Sequence, residues 1–255
     1  MALTRAGVAA EFGGWPFLDP GFRSRRLLAA AACVRWARQH TATPTRPTPA
    51  QLSTVLGPGE AARIRRLDLH LDLPADPLTL YQQAQADDAM TGLAAAFPDW
   101  APLLALPIRF LRLDDDHALS ASAFAIPQHV YLADPAFADT ATLDEQLVHE
   151  LCHQWLYLVE ELHPLHHPGC QRRLTLPSGT PNRSVAEVLG ALHVAVTVHR
   201  LWQERLNDDP RRPTRLTQLN AYAAGCTALL TVAADCLTPD GRDLAHRLQQ
   251  HADQP

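Results

Sequence analysis

The sequence predicts an α+β fold, mostly helical, with a small antiparallel sheet packed near one central helix. Three observations lead there. Apolar residues recur at helical spacing in several long segments. Between residues 108 and 132 the apolar period shortens toward two, the strand period. These strand-like runs come before a series of helices and do not alternate with them, which argues against a βαβ layout.

The 255 residues, 47% of them apolar, suit one globular domain with its own core. A net charge of −5 gives no bulk attraction for nucleic acid or acidic lipid. All 22 basic residues are Arg, so lysine Schiff-base chemistry and a lysine general base are excluded. The five cysteines are scattered and form no C-x-x-C, and they read as reduced thiols of a cytoplasmic protein. The first nineteen residues carry Glu11 and Asp19 and lack a long apolar stretch, so they do not read as a signal peptide. No apolar run is long enough to span a membrane.

The elements follow in order. Phe22 to Gln39 reads as a helix with Leu27, Leu28, Cys33 and Trp36 inward and Arg on the other side. Residues 41–49 hold three prolines and four threonines and read as a linker or extended arm. Leu78 to Phe97 is a second helix, broken by Pro98. Trp36, Tyr81 and Trp100 read as core anchors. Three short strands are expected at 108–113, 123–126 and 129–132. The central helix spans Leu143 to Leu162, with Thr142 as N-cap and Glu145 as its capping-box partner. A turn-rich loop begins at His163, and irregular chain continues to Asn182. Ser184, with Glu187 three residues later, caps a helix to Leu206. Helices over Pro213–Cys236 and Asp240–Gln250 complete the chain.

Chemistry is concentrated in the central helix, where residues 149–153 read His149-Glu150-Leu151-Cys152-His153. Residues four apart lie on one helical face, so the two imidazoles can address one ion. Glu150 is turned about 100° from His149 and reaches the edge of the same site. H-E-x-x-H is the pattern of a helix-borne divalent metal site. With 13 His in the chain, composition alone would supply roughly 0.02 such pentapeptides. Leu147, Val148, Leu151, Trp155, Leu156 and Leu158 flank the pair, which places it beside a buried stripe rather than on a solvated face.

Two histidines do not close a catalytic site. Val159 occupies the place of a metzincin's third histidine. From spacing, the third ligand stays open between Glu187, His193 and His199 on the downstream helix. Glu187 is equally explained as a capping residue. His163, His166 and His167 lie in the loop and rank lower.

The block around the motif resembles a known group. Leu147-Val148-His149-Glu150 with His153, then Leu165-His166, Pro168-Gly169 and Arg172-Arg173, then Pro177, Arg183 and Val185 to His193, are similar to bacterial HExxH-motif proteins associated with ribosomal peptide natural products. These include iron- and 2-oxoglutarate-dependent peptide β-hydroxylases. The likeness covers roughly residues 125–205 and centres the expected metal-site core on 105–207. It implies Fe(II) on His149, His153 and His193, 2-oxoglutarate and O₂ as co-substrates, and a ribosomally made precursor peptide hydroxylated at a side-chain Cβ. The resemblance departs after Pro177, where Ser178-Gly179 stand in place of a Trp-Arg pair. Arg183 is then the candidate to hold the distal carboxylate of 2-oxoglutarate, because the guanidinium fork donates two parallel hydrogen bonds. Glu150 would support the ligands.

The alternative is a zinc metallopeptidase with Glu150 as general base, docking its peptide by strand addition near 123–126. A third reading is a metal-stabilised module without catalysis.

Overall fold

A computed structural model describes residues 6–40, 46–66, 76–115 and 117–252. Most of the expected arm, 41–45, lies outside the described residues. The chain divides into two compact units: residues 23–162, and residues 1–22 together with 163–255. In chain order, helix α1 (Val8–Phe12) belongs to the second of these. The 23–162 unit holds α2 (Ser24–Gln39), α3 (Pro49–Val55), α4 (Pro58–Arg66), α5 (Leu80–Ala96), α6 (Ala101–Leu104), strands β1 (Arg109–Arg112), β2 (Ser120–Ala123) and β3 (Ile126–Leu132), and α7 (Thr140–Glu160). Helices α8 (Val185–Glu204), α9 (Arg212–Val232) and α10 (Pro239–Ala252) follow in the other unit. The mostly helical α+β class is as expected. No helix among the described residues is long and apolar enough to cross a membrane.

The sheet of the 23–162 unit is mixed, not antiparallel. β3 is central, with β1 parallel to it (Arg109 opposite His129) and β2 antiparallel (Ser120 opposite Leu132). The reason is topological. β2 and β3 form a hairpin, so β3 runs opposite to β2 and along β1, and it pairs with both. The stretch expected as a strand at 123–126 is the hairpin turn itself, and Pro127 lies inside β3. All seven residues of β3 are buried, as befits a central strand covered on both faces.

Helix α7 packs on β2, β3, α2, α5 and α6. Its N-cap is Asp139, not Thr142: the aspartate side chain accepts from the Thr142 N–H at 2.8 Å and from the Thr142 hydroxyl at 2.9 Å. An aspartate there is the better acceptor and complements the helix dipole. Leu147, Val148, Leu151 and Trp155 are wholly buried. The Trp155 indole N–H donates to the Leu103 carbonyl at 3.0 Å. Each such side chain stabilises the unit by about 1.5–3 kcal/mol through burial.

A buried polar network fixes the strand to the helix. Gln128 in β3 has φ 62°, a conformation that takes its N–H out of a regular ladder. Gln154 of α7 meets it there: its amide oxygen accepts from Gln128 N at 2.6 Å, and its amide N–H donates to His129 O at 3.0 Å. The Gln128 side chain donates to the Leu56 and Pro107 carbonyls and accepts from Arg35. Arg35 in turn holds Glu161 with two hydrogen bonds, at 2.8 and 3.0 Å. Arg35 was expected on the outer face of α2. It is buried, and Cys33, expected inward, is exposed. Apolar spacing could not reveal that this helix buries a charge because a carboxylate meets it. Among the expected anchors, Trp100 is buried, Trp36 is half-buried against His40, and Tyr81 is exposed near the start of α5.

In the other unit, α8 carries the expected capping box of Ser184 and Glu187 and packs on α9 and α10. His163 is buried between Asp240 (3.0 Å) and Glu11 (3.3 Å). Cys170 and Cys236 form a disulfide, which corrects the expectation of five reduced thiols. The pair is 66 residues apart, so spacing gave no hint of it. The contact arises because the loop after His163 pairs with the turn before α10, where His167 N–H donates to Cys236 O.

Candidate metal centre

Between Leu143 and Val159, α7 is buried at every position except three: His149, His153 and Tyr157. These lie at i, i+4 and i+8, one turn apart along a single stripe. The two imidazole centroids are 5.0 Å apart and edge-to-face. Tyr157 stacks parallel to His153 at 6.0 Å, and Phe124 from the β2–β3 turn meets Tyr157 edge-on at 5.7 Å. The sequence predicted the pairing of His149 and His153 correctly. It placed them beside a buried stripe, and they form the uncovered one.

Glu150 points into the protein. Its side chain is 2% exposed, with Oε1 3.9 Å from His149 Nε2. Ser120 Oγ lies 2.6 Å from that same oxygen and 2.8 Å from Gln146 Oε1. One hydroxyl proton cannot serve two acceptors. With the Gln146 amide turned so that its NH₂ donates to Ser120 Oγ, the hydroxyl is free to donate to Glu150. The second carboxylate oxygen, Oε2, is buried with no hydrogen-bond partner among the described residues. Ser120, on an edge strand, is a residue of this candidate site that sequence reasoning missed, and no pattern in the chain singled it out. Tyr157 was also missed, although its spacing of four from His153 was readable.

The donor set suits a divalent ion in kind: two partly exposed imidazole nitrogens on one face, beside a carboxylate with an unpartnered oxygen. Among the described residues, no group of three or more His, Cys, Asp or Glu side chains is assembled for a metal ion.

No protein-family model and no curated protein matches the chain.

The remaining expected residues belong to the other unit. His193 is wholly buried on α8 beside Phe17. Its Nε2 lies 2.8 Å from the Pro16 carbonyl, which can only accept, so Nε2 carries the proton. Arg183 donates to Glu187 Oε1 at 2.7 Å, and both side chains are roughly two-fifths exposed. Glu187 Oε2 accepts from Ser184 N and Oγ. Burial would raise the Glu187 carboxyl, but the bonds from Ser184 and Arg183 outweigh it and hold the group below its ordinary value. Glu187 is therefore engaged as a cap. Burial lowers the His199 imidazole.

Proposed function

We propose that this protein is an iron(II)- and 2-oxoglutarate-dependent hydroxylase of a peptide side chain at Cβ, acting on a ribosomally made precursor with O₂ as oxidant. The observation that carries a metal-dependent reaction is the partly exposed stripe of α7, where His149, His153 and Tyr157 are the positions not buried between Leu143 and Val159. The sequence resemblance supplies the reaction class. When bound, the iron would supply the redox chemistry.

The chain's own residues have separable tasks. His149 and His153 hold the ion. Glu150 lies against His149, and the Ser120 hydroxyl anchors it, which suits orientation of that ligand. The resemblance names His193 as third ligand. Arg183 is the candidate for the distal carboxylate of 2-oxoglutarate. Releasing it from Glu187 costs little, because exposed ion pairs contribute about 0–1 kcal/mol.

One observation favours a second reading. The unpartnered Oε2 of Glu150 is suited to accept a proton from water, as the general base of a zinc metallopeptidase does. Anaerobic titration separates the two. Fe(II) followed by 2-oxoglutarate should give a weak visible charge-transfer band that needs both additions and disappears in His149→Ala. Tight Zn²⁺ binding without such a band, together with peptide-bond cleavage, would replace the hydroxylase with the peptidase.

A further inference from the structure

We infer that Ser120 and Gln146 are positioning residues of the metal site: they hold Glu150 by one carboxylate oxygen and so fix how it faces His149. The inference rests on the metal-dependent reading above and assigns two further residues to it. Gln146 and Glu150 lie four apart on α7, one turn above each other. Both are buried, and α7 packs on β2. Ser120 comes from that strand, where it stands opposite the wholly buried Leu132 of β3. Its Oγ meets both helix side chains, 2.8 Å from the Gln146 amide group and 2.6 Å from Glu150 Oε1.

Each link has one direction. An ionised carboxylate can only accept, so the Ser120 hydroxyl donates to Glu150. The Ser120 oxygen then receives, and the turned Gln146 amide supplies the N–H. Hydrogen bonds that run the same way polarise one another, so the amide strengthens the bond at the carboxylate. The two oxygens of Glu150 are thereby made unequal. A free carboxylate turns about its last torsion, which has no sharp preference. Here Oε1 is tied and lies 3.9 Å from His149 Nε2, while Oε2 is buried without a hydrogen-bond partner among the described residues. Losing the tie would free a charge that stands beside a metal ligand. Partners of this kind, one step removed from the ion, typically change metal affinity about ten- to a hundredfold.

The test is zinc affinity by calorimetry for the full chain and its variants, with the side-chain carboxyl carbon of Glu150 followed by NMR in the metal-free protein. Ser120→Ala should weaken zinc binding roughly tenfold, and Ser120→Thr, which keeps the hydroxyl, should restore it to within about threefold. Gln146→Met should weaken it less than Ser120→Ala does, because the hydroxyl remains. In the Glu150→Gln background, Ser120→Ala should cost less than about twofold, since the charge it acts on is gone. A role confined to holding β2 on α7 predicts otherwise: Ser120→Ala would lower the thermal midpoint while leaving zinc affinity unchanged, or would cost as much in the Glu150→Gln background. Either result would overturn the inference. The Glu150 resonance should move in Ser120→Ala and return in Ser120→Thr, and an unmoved resonance would overturn the inference as well. If the wild type binds no zinc, the metal reading falls, and the resonance alone decides whether Ser120 holds Glu150.

Discussion

Replacing Arg35 by Met tests the network that holds β3 on α7. The guanidinium makes two bonds to Glu161, one to Gln128 Oε1 at 2.6 Å and one to Val55 O at 3.3 Å. Its side chain is 3% exposed and that of Glu161 2%. Methionine keeps much of the volume, so the change is mainly electrostatic. Removing one partner of a buried pair costs about 3–5 kcal/mol, because the remaining charge has lost both water and counterion. With a urea m-value of about 2 kcal/mol/M, the midpoint should fall by about 2 M. Tryptophan fluorescence during urea unfolding measures it. The double variant Arg35→Met/Glu161→Met should recover at least about 2 kcal/mol of the loss, since it no longer buries a lone carboxylate. A single-variant loss below about 1 kcal/mol, or a double variant less stable than the single, would refute the claim that this buried pair is what couples the two elements.

Five further outcomes follow. Ellman titration should count one fast thiol in the native protein (Cys33), three after denaturation and five only with reductant; five without reductant would remove the Cys170–Cys236 bond. Burial pushes the Cys226 thiol up to about 12, so it should resist alkylation until the protein unfolds. The Glu60 carboxyl is lowered to about 2, first by the hydrogen bond from Arg63 and then by that from Gln39. Because the folded value is the depressed one, its stabilisation is complete above about 4.5 and is lost as pH falls toward 2. The stability gap between the wild type and Glu60→Gln, followed by urea midpoints, should therefore close across that window. For the metal, His149→Ala and His193→Ala should each weaken Fe(II) binding at least tenfold and Glu187→Ala less than twofold; the reverse order for His193 and Glu187 would reassign the third ligand. Glu150→Gln should leave the thermal midpoint within a few degrees, or raise it, while activity is lost.

How much was legible depended on whether a signal was local. The capping box of Ser184 and Glu187 and the pairing of His149 with His153 are written in four or five consecutive residues, and both were read correctly. The longer helices α2, α5 and α7 to α10 were placed to within a few residues because their apolar spacing is local as well, whereas the short α1, α3, α4 and α6 were not read. The sheet was harder. Its hydrogen-bonding order depends on β3 lying between β1 and β2, and the alternation within each strand carries no information about that. Buried polar groups were the least legible. Arg35, Gln128 and Gln154 look like surface residues until the partners that satisfy them are known, and those partners lie 20 to 126 positions away along the chain from Arg35. Ser120 belongs to the same class, since a serine in a strand of alanines and serines has no distinguishing mark. The disulfide failed for the same reason.

Glu150 shows why the motif reads as functional rather than structural. A carboxylate that is 2% exposed with one oxygen unpartnered costs the fold about 1–3 kcal/mol, more if it is charged. Glutamine would fill the same space and could still meet the Ser120 hydroxyl. Apolar residues fill the comparable interior positions Leu147, Leu151 and Leu158 on the same helix. Elsewhere in this unit Arg35 pairs with Glu161, and Gln128 with Gln154. The orphan oxygen lies beside two imidazoles on the stripe that α7 leaves partly exposed between Leu143 and Val159. Strain of this kind persists where stability is given up for activity. That makes Glu150→Gln informative in both directions. If the substitution destabilises the protein by more than about 1 kcal/mol, the carboxylate is part of the scaffold and the stripe of His149 and His153 loses its strongest support as a reactive site.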